Sequence, residues 1–264
     1  RAIPPTIEMV GFLAQIIMNS LIYDEKLIKE FCGEVVPELK DDEVLVMYLA
    51  SRKKYGGIMR SHEVLNRIIL KQTDSEYILH KIKKMAQAKD IYYDSKNNEI
   101  LPLSSMVIYI SLLPKSTLHA FKLFNSEMLE YFHQAVHNPD QLTLFRYMDT
   151  KLFSAIHKST VRNNLTLIDI DKNDINICKG IAEKFNENLV WISQTHNGFH
   201  IIVKKNKETN GILQELLYLD YDTDMDYIDI QKYVELQSDV STPIPGTYQG
   251  GKKVKRIKLD NIEI

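Results

Sequence analysis

The chain has 264 residues, 44% hydrophobic and 26% charged, with a formal charge of −2. That balance is ordinary for a globular protein long enough to bury a real core. No apolar run approaches the roughly 18 residues that span a bilayer, and no overall basic field announces nucleic acid.

The chain begins at Arg1, without Met or a signal-like segment. It therefore reads as a processed or excised piece. Cys32 and Cys178 lie far apart and form neither a zinc pattern nor a disulfide framework, which suits a reducing, intracellular compartment. Charge is uneven. Lys252, Lys253, Lys255, Arg256 and Lys258 crowd the C-terminus, Arg52, Lys53 and Lys54 cluster, and Asp220, Asp222, Asp224, Asp226 and Asp229 fall within ten residues. Such runs are usually solvated faces.

In chain order, Thr6 caps an expected helix with apolar residues at Ile7, Val10, Leu13, Ala14, Ile17 and Leu21. Asp24 caps a second, ending before Pro37. Residues 43–50 fit strand or helix. Helices are expected from Ser61 to about Lys71 and from Asp74 or Ser75 to about Lys89. A hairpin turns at Lys96-Asn97-Asn98, and a β-rich run ends at Pro114. Ser116 caps a helix to about His137, and another covers about 142–158. From residue 165 the expected order is β-α-β-β-α-β, a split-βαβ sheet with helices on one face. Its last strand is "MDYIDIQKY". The fold class is α/β (α+β): a mainly helical region over 1–104, then a core over 105–264 with the sheet at about 163–235.

"LTLIDID", residues 165–171, sets Asp169 and Asp171 on one strand face and Ile168 and Ile170 on the other. In the expected topology the first and last strands are central neighbours, and Asp229 points to the same polar face. Three converging carboxylates repel one another unless protonated or bridged by cations. Oxygen-only ligands select hard ions, Mg²⁺ or Mn²⁺. Two such ions can activate a 3′-hydroxyl and stabilise leaving pyrophosphate. The plainer alternative is that the aspartates cap strand ends. In "SQTHNGFHIIV", residues 193–203, Asn197-Gly198 is a tight-turn signal. His200 shares a face with Ile202 beside the aspartate strand, suited to a triphosphate or to a structural hydrogen bond. His196 reads as incidental, because an Hx3H spacing on a hairpin does not chelate zinc.

These residues resemble the archaeo-eukaryotic primase superfamily. Its first motif matches Ile168-Asp169-Ile170-Asp171, its second Gly198-Phe199-His200 and its third Ile228-Asp229. "STPIPGTYQGGKK", residues 241–253, is similar to its proline-containing basic loop. "VIYISLLPKSTLHAF", residues 107–121, loosely resembles its first strand and basic turn, with Lys115 at an Arg position. The resemblance covers about residues 105–258. It lacks the zinc-binding cluster of many members.

The resemblance implies an RRM-like palm and a template-dependent nucleotidyltransferase, a primase or primase-polymerase acting in replication or repair. Asp169, Asp171 and Asp229 would be the catalytic metal ligands for two Mg²⁺ or Mn²⁺ ions. His200, Gly198, Asn197 and Ser193 would cradle the NTP or dNTP, with Lys252 and Lys253 neutralising phosphate. Lys115, Arg256 and Tyr248 would contact nucleic acid. Expected partners are a single-stranded, DNA-type template, nucleoside triphosphates, and a helicase or other replication proteins, with no membrane. The alternatives are a non-catalytic nucleic-acid-binding replication-initiation module and a metal-dependent nickase. Nickases use a His-hydrophobic-His pair and a nucleophilic Tyr, and this spacing does not supply the pair.

Overall fold

A computed structural model of the chain describes residues 21–55, 63–87, 93–94, 99–138, 143, 145–218, 232–237 and 239–259. The protein is a mixed α/β structure with six helices among these residues and antiparallel sheets. Helix α1 (Glu25–Val35) is capped by Asp24, whose carboxylate accepts from the Leu27 N–H at 3.0 Å. Strand β1 (Glu43–Ser51) follows, then β2 (Glu63–Leu70) and α2 (Ser75–Gln87). Asp74 caps α2 by accepting from the N–H groups of Glu76 and Tyr77. Short strands β3 (Tyr93–Asp94) and β4 (Glu99–Ile100) form the expected hairpin. Next come β5 (Met106–Ser111), β6 (Lys115–Ser116), α3 (Thr117–His137) with Ser116 as its cap, and α4 (Met148–Lys158).

The β-α-β-β-α-β order then appears as β7 (Leu165–Ile170), α5 (Ile175–Glu183), β8 (Leu189–Gln194), β9 (Phe199–Lys204), α6 (Lys207–Tyr218) and β10 (Val234–Gln237). Strands β11 (Ser241–Pro243), β12 (Tyr248–Gln249), β13 (Lys252–Lys253) and β14 (Lys255–Arg256) complete the chain.

Two sheets result. The first runs β13-β12-β5-β1-β2, with β11 also on β5 and β6 on β1; the second runs β10-β7-β9-β8-β14. In the second, β7 lies between β9 and the edge strand β10, so the first and last strands of the unit pair at the sheet's edge rather than at its centre. The strand expected over residues 225–233 is largely outside the described residues, and the segment on β7 is Val234–Gln237.

One expectation fails in the N-terminal part. The helix expected from Ser61 is strand β2, which pairs with β1 in antiparallel register. The apolar spacing of Leu65, Ile68 and Ile69 fits a helix, but β-branched side chains beside a waiting strand favour the ladder. Strand β1 lies between β2 and β5, with Met47 opposite Ile110 and Ser51 opposite Met106. Residues on both sides of position 104 thus build one sheet.

The main core lies between the sheets. Leu45, Met47 and Leu49 of β1 and Phe31 of α1 pack with Leu167, Trp191 and Ile202 of the second sheet. The outer face of β1, Val44 and Val46, packs on Ala120 of α3 and Ile156 of α4. Ile168, Ile170, Ile192 and Ile201 pack against α5 and α6. Among the described residues no helix is long and apolar enough to cross a membrane.

Candidate functional site

Alternation along β7 and β9 turns Leu167 and Ile202 into the inter-sheet core. Two residues further on, the same face presents Asp169 and His200. There the dry interface opens into a small cleft of about 220 Å³, open to solvent, with a polar lining.

One wall is acidic. Asp169 stands opposite His200 on one side and Glu235 on the other. His200 Nε2 is 3.3 Å from Asp169 Oδ1, and Gln237 Nε2 donates to Oδ2 at 2.9 Å. Burial raises the Asp169 pKa, but the His200 hydrogen bond and charge, with Lys54 and Arg52, outweigh it and hold the carboxyl below its ordinary value. His200 is 6% exposed, and its Nδ1 lies 3.0 Å from Thr242 Oγ1. The two ring nitrogens thus bridge Asp169 and Thr242. Thr242 belongs to the first sheet, so this bond ties the sheets together at the cleft. Asp171, just past β7, donates its N–H to Tyr233 O at 2.8 Å and turns an exposed carboxylate into the cleft.

Glu235 is the acidic residue that the sequence reading missed. In "YVELQ", residues 233–237, Val234 and Leu236 pack toward the helices, while Glu235 and Gln237 line the cleft. The period-2 pattern was a usable signal. Asp229, the expected third ligand, lies outside the described residues, as do the other four aspartates of its cluster.

The facing wall is basic and aromatic. Arg52 and Lys54, read from sequence as part of a solvated face, line the cleft. Arg52 Nη1 donates to Tyr109 Oη at 2.8 Å, with its guanidinium 5.6 Å from the ring centre. Tyr109 stacks on Tyr48 at 5.2 Å, and burial pushes the Tyr109 phenol pKa far up. Tyr48 Oη in turn meets Ser241 Oγ at 2.9 Å. Lys54 sits 5.6 Å over the Tyr55 ring in the 3-10 turn Lys53–Tyr55.

The β8–β9 turn joins the walls. A Cβ on Gly198 would come within 1.7 Å of Ile170 O, so only glycine lets the turn press on the end of β7 beside Asp171. Asn197 and Thr195 face the cleft. Gln249 donates to Tyr55 Oη at 2.8 Å and accepts from the His196 N–H at 2.9 Å, coupling the 3-10 turn to the hairpin. His196 is thus not incidental: its ring also packs 4.5 Å from Tyr55.

Other expected site residues fall elsewhere. Ser193 is fully buried and accepts from the Trp191 indole at 2.9 Å, so it is no nucleotide ligand. Lys252 pairs with Gln249 and donates to His196 O at 3.1 Å near the cleft. Its neighbour Lys253 pairs with Tyr248, and alternation sends it to the opposite face, 5.0 Å over the Tyr23 ring. Tyr248 itself packs edge-on against Tyr23 at 5.4 Å. Arg256 is held by Glu30 and Glu34 and stacks 4.0 Å over Trp191, so it is no free phosphate ligand. Lys115 is 2% exposed and donates to Thr160 Oγ1 at 2.6 Å and His157 O at 3.1 Å, which makes it a structural lysine.

Asp169, Asp171 and Glu235 offer oxygen donors of the kind hard divalent ions take. Asp171 and Glu235 are exposed, whereas both Asp169 oxygens are already engaged. Among the described residues no three His, Cys, Asp or Glu are gathered into a metal-holding group. No protein-family model matches the chain, and comparisons with curated proteins and with solved structures found no match.

Proposed function

We propose that the protein is a template-dependent nucleotidyltransferase of the primase or primase-polymerase type. The observation that carries this is the pairing of opposed walls: Asp169, Asp171 and Glu235 face Arg52 and Lys54 across one cleft, with His200 and Asn197 at its edge. A magnesium–triphosphate carries both charges and matches both walls. The strand order β10-β7-β9-β8 supports the RRM-like palm that the motifs imply.

In this reading Lys54 and Arg52 bind phosphate oxygens, and Tyr109 fixes the guanidinium so that little side-chain entropy is lost on binding. His200, oriented by Thr242, donates from Nε2 to a phosphate once it swings from Asp169. Asp171 and Glu235, with Asp169 or Asp229, would hold Mg²⁺ or Mn²⁺. When bound, such ions activate an attacking 3′-hydroxyl and stabilise leaving pyrophosphate.

The test is incubation with single-stranded templates, Mg²⁺ or Mn²⁺ and labelled nucleotides of each sugar type, with and without a primer. Metal-dependent incorporation is expected, and His200→Ala should raise the nucleotide KM far more than it weakens template binding. The engagement of both Asp169 oxygens favours a second reading, a nucleic-acid-binding module without chemistry. Template binding with no incorporation under any condition selects it.

A further inference from the structure

Helix α3 has a second face that the described residues leave uncovered. Its inner face, Ala120, Met128 and Ala135, is buried. Leu118, Phe121, Leu129, Phe132 and Val136 are 60, 59, 69, 55 and 79% exposed. With Asn125 they form a single stripe, spaced 3, 4, 4, 3 and 4 residues apart, the period of one helix face. It runs for about 27 Å. Phe145, beyond the helix, extends it by packing 4.8 Å from Phe132.

Scattered surface apolar residues need no explanation, but a continuous stripe this long does. The five exposed side chains present roughly 600 Å², the upper end for a monomer's largest patch. Two such stripes face to face would remove about 1,200 Å² from water, the threshold of a specific interface.

The pattern also nominates the occupant. Reversed end to end, the stripe nearly superimposes on itself. An antiparallel copy sets Leu118 opposite Val136, Phe121 opposite Phe132, and Asn125 opposite Leu129. Self-complementarity of this kind is the signature of a two-fold, isologous contact, in which one patch serves both partners. A heterologous partner imposes no such symmetry. The single polar residue, Asn125, lies beside the axis, where sliding by one helical turn in one direction would bury it against Phe132. We infer that the protein forms a homodimer through antiparallel packing of α3 on α3.

Helix α3 packs on the outer face of β1, on the far side of the first sheet from the inter-sheet core.

Sedimentation velocity on the full chain tests this over about 1 to 100 µM. The expected result is a concentration-dependent shift from 30.7 kDa toward twice that mass. Phe132→Asp, at an exposed position, should keep the circular dichroism spectrum and weaken association at least tenfold. Orientation is read by oxidation: Leu118→Cys/Val136→Cys should give a covalent dimer, and Leu118→Cys alone should not. The native thiols are both buried and stay silent. A monomer across the range overturns the inference, whether residues 1–20 or another protein cover the stripe instead. So does a dimer indifferent to Phe132→Asp, or one that Leu118→Cys alone locks.

Discussion

Strand β1 is apolar along most of its length and buried on both faces, while β7 is buried at Leu167, Ile168 and Ile170 but only half-buried at Asp169. Each lies between two partner strands in its sheet, yet they do different work. The Val44 and Val46 side of β1 meets α3 and α4, and the Leu45, Met47 and Leu49 side meets the second sheet. A charge in the middle of β1 would have no water and no partner. Strand β7 shares that core only as far as Leu167, and its next outward residue is Asp169 at the cleft. The reactive groups thus sit where a shared core ends, and the burial beside them does the positioning.

The largest expected break in this comparison is Asp171→Asn. It should reduce nucleotide incorporation by about a thousandfold or more while leaving the melting temperature within a degree or two, because the side chain is exposed. Unfolding and incorporation assays on one preparation check both halves. Leu49→Ala should do the reverse. It should cost about 2–5 kcal/mol of stability in urea unfolding, with incorporation per folded molecule retained. A selective loss of incorporation there would break the division between scaffold strand and reactive strand.

Smaller effects sharpen it. Lys54→Ala should raise the nucleotide KM about tenfold, the value of one charge-assisted phosphate contact, with kcat changed less. The smallest is a pH effect at Asp169. Its pKa is lower in the folded protein than in the unfolded chain. The ionised carboxylate therefore adds stability that is fully present above the unfolded value and lost as pH falls through the folded one. The stability of Asp169→Asn should lie below that of the parent at neutral pH, and the gap should close in the acid range. A gap that persists at low pH would show that packing, not the His200 contact, is being lost.

Much of this arrangement was legible in the chain. The caps at Asp24, Asp74 and Ser116, the split-βαβ order, the common face of Asp169 and Asp171, and the adjacency of His200 all follow from local rules. Capping geometry and strand alternation act within a few residues, so sequence carries them. Glu235 was legible in principle from the alternation of "YVELQ" but was overshadowed by the aspartates upstream.

The basic wall was not legible. Arg52 and Lys54 reach the cleft only because β1 pairs with β5, more than fifty positions away, and the first sheet then packs across β7, more than a hundred positions away. The same long-range packing took Arg256 and Lys115 out of service by giving each a nearer partner, and it split Lys252 from Lys253 by placing them on a strand. The sequence by itself determined which residues share a strand face or cap a helix. Only the tertiary structure decided which faces meet, because burial and charge pairing depend on what the rest of the chain brings alongside.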